Sequence, residues 1–201
     1  AGVDRLSTEM VGSDLRVFVA GQGVAKLADA NGQRLYVDDR FVGAIQGGRG
    51  DDYVSLVRGA ATAHGGDGAD TMVLAAEFAG DVAGGAGADT FLVKAGAGGA
   101  NALLAGATID GGAGVDRVAF YDLPTVTSGL LSAVSNVEIF DLRLPTSVIE
   151  LTGAIVAAQG GAVTLDVDAP ALTVDAAGLY AGQTIAVEGV ADVTFTGGGQ
   201  S

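Results

Sequence analysis

The chain has 201 residues, 34 of them glycine and none cysteine, and its 24 acidic against 10 basic side chains give a net charge of −14. The missing cysteines exclude disulfides, thiolate catalysis and cysteine-ligated zinc or iron, and the acidity excludes the basic footprint that nucleic acid needs. Hydrophobic residues make up 49%, too many and too regularly placed for disorder, yet no run of about 18 of them offers a membrane span.

The chain opens AGVDRLS, and its first five residues recur at 113–117; it closes TGGGQS. The opening reads as the back half of a glycine loop and the close as the front of another, which is expected of a segment from a longer repetitive protein. The start carries no basic-then-apolar leader. Between 11 and 46, short alternating runs at Leu15–Ala20, Val24–Leu27, Gln33–Val37 and Arg40–Ile45 are punctuated by glycine, asparagine and aspartate. They read as the first coils of a solenoid. Asp29 to Arg34 fills the corner one coil before residue 47 but lacks an aspartate at the sixth position, so it is expected to be metal-free.

From 47 to 119 one phrase occurs four times: GGRGDDYVS at 47–55, GGDGADTMV at 65–73, GGAGADTFL at 84–92 and GGAGVDRVA at 111–119. The common form is G-G-x-G-x-D-x-U-x, with U apolar. Its first six residues predict a loop. Glycine permits backbone angles that a Cβ forbids and leaves carbonyl oxygens open to an ion, while the sixth-position aspartate adds the hard oxygen that Ca²⁺ prefers. The last three residues predict a short strand with alternating faces. Val54, Met72, Phe91 and Val118 then point inward, followed on the same face by Leu56, Leu74, Val93 and Phe120. Tyr53, Thr71, Thr90 and Arg117 point outward.

The loops are 18, 19 and 27 residues apart. Two nonapeptides make a coil of about 18, so all four loops fall on one edge, and the longest step implies a nine-residue insertion within 96–106. The opposite corners, VRGAA at 57–61 and FAGDV at 78–82, keep a glycine but lose the carboxylate pattern.

Residues 120–147 interrupt the repeat. Pro124 and Pro145 flank TSGLLSAVSNVE, where Leu130, Leu131 and Val134 form one face of a helical turn or of a loop laid over the core. From 137, strand-like runs at 137–142, 148–151, 162–167, 172–175, 184–187 and 193–196 imply coils of just over twenty residues with two main strands each. None of these coils carries the glycine-aspartate phrase. The expected organisation is thus a calcium-bearing β-roll over 1–119, a junction over 120–147 and a metal-poor β-solenoid over 148–201.

The four phrases resemble the calcium-binding nonapeptide repeat of RTX (hemolysin-type) proteins. That resemblance implies an all-β, right-handed parallel β-helix or β-roll with ions held between loops of successive coils along one edge, up to three of them here. The residues matching the motif's ligand positions are Gly48, Gly50 and Asp52; Gly66, Gly68 and Asp70; Gly85, Gly87 and Asp89; and Gly112, Gly114 and Asp116. Asp51 and Asp67 are additional acids, expected in solvent, and Asp166, Asp168 and Asp175 are expected on outward faces or corners. The resemblance further implies a structural segment of an extracellular bacterial protein of surface-layer or RTX-adhesin type. Such a protein leaves the cell by type I secretion, self-associates into a lattice or polymer, or contacts cell-surface polysaccharide.

An enzyme module finds little support in the residues. His64 is the only histidine and reads as a surface corner residue. There is no G-x-S-x-G elbow, and Asp38 and Asp39 are adjacent and so point to opposite faces of a strand. Arg49-Gly50-Asp51 falls inside a predicted calcium loop, which makes the RGD tripeptide incidental. Two further readings stay open: a catalytic or non-catalytic module of a secreted polysaccharide-active or other RTX enzyme, and an ice-binding face. The second needs a ladder of outward threonines, and Tyr53 and Arg117 break the row of Thr71 and Thr90.

Overall fold

Alternating apolar side chains on short segments can bury one face only by stacking against the next copy, and the described chain from Ile45 onward does this. A computed structural model describes residues 3–11, 14–26, 33–56, 62–74, 78–95, 103, 106–143, 146–189 and 192–197, with side chains from residue 44 onward. It is a parallel β-solenoid of about six turns.

Strand β1 (Val3–Val11) forms an antiparallel hairpin with β2 (Asp14–Lys26), and β2 pairs in parallel with β3 (Gln33–Arg49). The long β3 serves two faces. Its first part pairs with β4 (Asp52–Leu56) and its second with β5 (Thr62–Asp67). The next two coils are β6 (Thr71–Leu74) with β7 (Asp81–Ala86), and β8 (Thr90–Lys94) with β9 (Thr108–Ala113).

A larger coil follows: β10 (Arg117–Tyr121), β11 (Thr125–Val126), helix α1 (Ser128–Leu131) and β12 (Val134–Ser135). The next holds β13 (Ile139–Leu142), β14 (Val148–Thr152) and helix α2 (Gly153–Ala158). After it come β15 (Ala162–Val167) with β16 (Ala171–Ala177), then β17 (Thr184–Glu188) with β18 (Asp192–Thr196).

Three parallel faces result. One stacks β4, β6, β8, β10, β13, β15 and β17; a second stacks β5, β7, β9 and β12; a third, in the later coils, stacks β11, β14, β16 and β18. Register keeps like beside like. Val54, Met72, Phe91, Val118, Phe140 and Leu165 align as one buried row, and Leu56, Leu74, Val93, Phe120, Leu142 and Val167 as another. On the second face Ile45, Ala63, Val82, Ile109 and Val134 align and are buried. Phe120 and Phe140 meet edge to face at 6.3 Å, the aromatic arrangement favoured by ring quadrupoles.

The expected rows of inward side chains are therefore present, and the later strands lie where their alternation places them. The first face passes without a break through 120–147: β10 pairs with β13, and Leu123, Val126, Leu130, Leu131 and Val134 join the common core. Leu130 and Leu131 sit on a helical turn. The Thr127 hydroxyl caps it by accepting from the Leu130 N–H at 3.3 Å, and Thr152 caps α2 likewise from Ile155 at 3.2 Å. The expectations for the corner at Asp29 to Arg34, for 57–61 and for both chain ends fall wholly or partly on residues outside those described, 29–32 in the case of that corner. Most of the insertion within 96–106 lies outside them too, except Leu103, which is buried and bridges Phe78, and Gly106.

The later coils close their corners with amides. Gln159 is buried; its Nε2 donates to the Val134 carbonyl at 2.8 Å and to that of Ile155 at 3.2 Å, while its Oε1 accepts from the Val137 N–H at 2.9 Å. Gln183 repeats the device one coil on, donating to the Gly153 carbonyl and accepting from the Tyr180 N–H, both at 2.7 Å. Replacing Gln159 by leucine strands the Val137 N–H and the Val134 carbonyl in the interior. A loss of about 1–3 kcal/mol for each unsatisfied group is expected, read as a lowered midpoint in urea unfolding followed by circular dichroism.

Candidate metal centre

Each glycine-aspartate loop leaves the second face and enters the first. The four loops stack along one edge, because β3, β5, β7 and β9 are in register, as are β4, β6, β8 and β10. Stacking makes glycine obligatory twice over. Gly85 and Gly87 have φ of 117° and 141°, where L-residues carry strain. A Cβ on either would also run into the carbonyl oxygen of the matching glycine, Gly66 or Gly68, in the preceding coil. The carbonyls at the second and fourth positions therefore form two columns, each oxygen aimed at the next loop.

The sixth-position aspartates form a third column, facing inward. Asp52, Asp70, Asp89 and Asp116 are only 3%, 1%, 2% and 0% exposed, unusual values for a carboxylate. One carboxylate oxygen of each later residue accepts the main-chain N–H of the aspartate one coil earlier. Asp52 N–H donates to Asp70 Oδ1, Asp70 N–H to Asp89 Oδ1 and Asp89 N–H to Asp116 Oδ1, each at 2.8 Å. The ladder continues beyond the motif: Asp116 N–H donates to Glu138 Oε2 at 2.9 Å.

The second oxygen is different. Oδ2 of Asp70, Asp89 and Asp116 is buried with no hydrogen-bond partner. It lies over the first glycine of its own loop, where it meets the first-glycine carbonyl of the next coil. Above Gly65 these are Asp70 Oδ2 and the Gly84 oxygen; above Gly84, Asp89 Oδ2 and the Gly111 oxygen. A methyl group on either glycine would occupy that space. The first glycine, at 47, 65, 84 and 111, thus belongs to the site as much as the second and fourth, and its backward-facing carbonyl becomes apparent only once the coils are stacked.

A buried carboxylate without a partner resists ionisation. Burial raises the Asp89 carboxyl from 3.8 to about 6, with Asp70 and Asp116 adding like-charge repulsion and the hydrogen bond from the Asp70 main chain opposing it. Burial raises Asp70 and Asp116 in the same direction. Two remedies exist, a proton or a cation. The donors facing each gap between loops are all hard oxygens, suited to calcium. Among the described residues no three histidine, aspartate or glutamate side chains converge on one point, so an ion here would have to draw on main-chain carbonyls besides the stacked carboxylates.

The other candidates lie apart from this column. Asp51 and Asp67 are exposed; Asp51 accepts the Ala69 N–H at 2.8 Å, and Asp67 stands 3.8 Å from Arg49. Arg49-Gly50-Asp51 is part of the first loop. His64 is exposed on β5, within a strand rather than at a corner. Asp166 and Asp168 form an outward ion network with Arg117, Asp141 and Arg143, in which Arg117 Nη1 lies 2.8 Å from Asp166 and Arg143 Nη1 lies 2.6 Å from Asp168. Asp175 is half-buried on β16. The side chains of Asp38 and Asp39 are outside those described.

Fold and site together define a parallel β-solenoid with an acidic, carbonyl-lined edge. No family profile, curated protein or solved structure matches the chain.

The buried carboxylates set a pH dependence for the metal-free protein. Between the ordinary carboxyl value and about 6 the folded chain keeps a proton on Asp89 that the unfolded chain has released. Stability therefore falls as pH rises through that window and stays low above it. Protein held in chelator should melt at a higher temperature at pH 5 than at pH 7.5 in scanning calorimetry.

Proposed function

We propose that the chain is a calcium-binding structural segment of a secreted bacterial cell-surface protein of surface-layer or RTX-adhesin type, whose coils fold and assemble outside the cell. The observation that carries this reading is the column of buried, unpartnered oxygens on Asp70, Asp89 and Asp116 facing main-chain carbonyls. Bound calcium supplies positive charge and a centre for hard-oxygen coordination. In this reading the carboxylates of Asp52, Asp70, Asp89 and Asp116 hold the ions together with the carbonyls of their loops, including Gly48, Gly50, Gly66, Gly68, Gly85, Gly87, Gly112 and Gly114. The N–H···Oδ1 ladder fixes each carboxylate so that its second oxygen faces the gap.

The charge supports the same reading. At −14 the chain repels itself when compact, and cations on the acidic edge relieve part of that repulsion. Extracellular calcium modules commonly bind at about 10⁻⁴–10⁻³ M, so such an edge would stay loose in a low-calcium cytosol and order itself outside. Lattice formation and contact with cell-surface polysaccharide belong to this proposal as the partners of an acidic solenoid.

A calcium titration with EGTA reversal, followed by circular dichroism and light scattering, tests it. β-signal should rise with calcium and fall with chelator, and particle size should rise in parallel if the segment assembles. Asp89→Asn removes the charge that faces the gap between the third and fourth loops. It should shift the calcium midpoint about tenfold or more, the effect of losing roughly 1.4 kcal/mol of binding. A chain that is fully folded without calcium and does not respond to it would falsify the proposal.

A further inference from the structure

The carboxylate column does not stop at the last glycine loop. One coil beyond Asp116 the chain reads Ser135-Asn136-Val137-Glu138, which has no glycine and no aspartate. It nevertheless rebuilds the corner. Asn136 takes a left-handed backbone conformation with φ of 52°, unusual for a residue with a Cβ, and its Nδ2 donates to Asp110 Oδ1 at 2.7 Å. The Asn136 carbonyl oxygen then stands over Gly111, in the place that the Gly84 oxygen takes over Gly65 and the Gly111 oxygen over Gly84. Glu138 uses its longer side chain to reach the Asp116 N–H at 2.9 Å, as Asp116 reaches Asp89.

The oxygen waiting in this gap is Asp116 Oδ2. Asp116 is 0% exposed, and that oxygen has no hydrogen-bond partner. A methyl group built on Gly111 would lie 2.7 Å from it and would also strike the Asn136 oxygen. Both oxygens face one space, bounded on the far side by the coil that carries Glu138.

We propose that the gap between the fourth glycine loop and the following coil is a further divalent-cation site of the same column, held by the Asp116 and Glu138 carboxylates and the Asn136 carbonyl oxygen. The site rests on the calcium reading above and extends it past the repeat. Pairing between motif loops accounts for three gaps, and Glu138 closes a fourth. The donors are all oxygen, so the cation class is hard and divalent, with calcium favoured over the smaller magnesium by main-chain ligands that do not enforce an octahedron.

The test is an ion count on the full chain. Native mass spectrometry of calcium-saturated protein, with isothermal titration for affinities, should show at least four bound ions. Glu138→Gln keeps an acceptor for the Asp116 N–H but removes the charge, and should bind one ion fewer while the remaining affinities change by less than about twofold. Asp70→Asn, two coils back from Asp116 in the column, should leave the Glu138 site occupied. Three or fewer ions on the unmodified chain, or an unchanged count and unchanged affinities in Glu138→Gln, overturn the inference while leaving the calcium reading intact. No calcium bound to the unmodified chain removes both. The unmodified count stands whether or not the variant folds.

Discussion

Burying a column of like-charged carboxylates is the constraint on which this structure turns. A carboxylate removed from water needs hydrogen bonds and an opposite charge. The solenoid supplies hydrogen bonds by aligning each aspartate with the main chain of the coil before it, so that one oxygen of Asp70, Asp89 and Asp116 is satisfied at 2.8 Å. That alignment holds only if the coils stack in register. It also holds only if the first, second and fourth loop positions lack a Cβ, because each of those places is filled by an oxygen from the same loop or a neighbouring one. The G-G-x-G-x-D pattern is thus the record of a packing requirement, and the oxygen left over on each aspartate is the part that packing does not satisfy.

The later coils meet the same need for closed corners with neutral groups. Gln159 and Gln183 each carry a donor and an acceptor and use both on main-chain partners. An amide inside a corner leaves no charge to neutralise. Asp141, Asp166 and Asp168 of this half are matched by guanidinium groups, and Asp141, 2% exposed, contacts both Arg117 and Arg143. Among the described residues, the buried side-chain oxygens without a hydrogen-bond partner include Oδ2 of Asp70, Asp89 and Asp116, all in the glycine loops.

Much of this was legible in the sequence because it follows a period. Inward rows such as Val54, Met72, Phe91 and Val118 can be read from alternation alone, and the stacking of four phrases of one form follows from steps of 18, 19 and 27 residues. The features that escaped depend on contacts between coils whose sequences do not resemble each other. Glu138 sits in a corner shorter than the motif, with Asn136 in place of glycine, and only the stacked geometry shows that its longer side chain reaches where an aspartate reached before. Gln159 lies in an apolar-rich stretch after α2, and nothing in its neighbours marks it as an interior plug. The carbonyls of Gly65, Gly84 and Gly111 were hidden for a different reason: a main-chain oxygen has no letter in the sequence.

Joining the two kinds of corner in one stack has a consequence for how the molecule behaves. In a solenoid, stability is close to a sum over neighbouring coils. The corners sealed by Gln159 and Gln183 pair their amides with main-chain groups, whereas the gaps that follow the second, third and fourth glycine loops hold the unsatisfied oxygens of Asp70, Asp89 and Asp116. Under the calcium reading, the first set is ordered at any calcium level and the second only when its gaps are filled. β10 stands at the boundary, pairing with β8 on one side and β13 on the other, with the Phe120–Phe140 contact and the Asp116–Glu138 hydrogen bond both crossing to the self-sufficient half. That boundary gives the conditional coils a preformed strand edge in the correct register. Under the same reading, each coil added to it would align the carboxylate and carbonyl oxygens of the next gap, and order would spread along the acidic edge from that end.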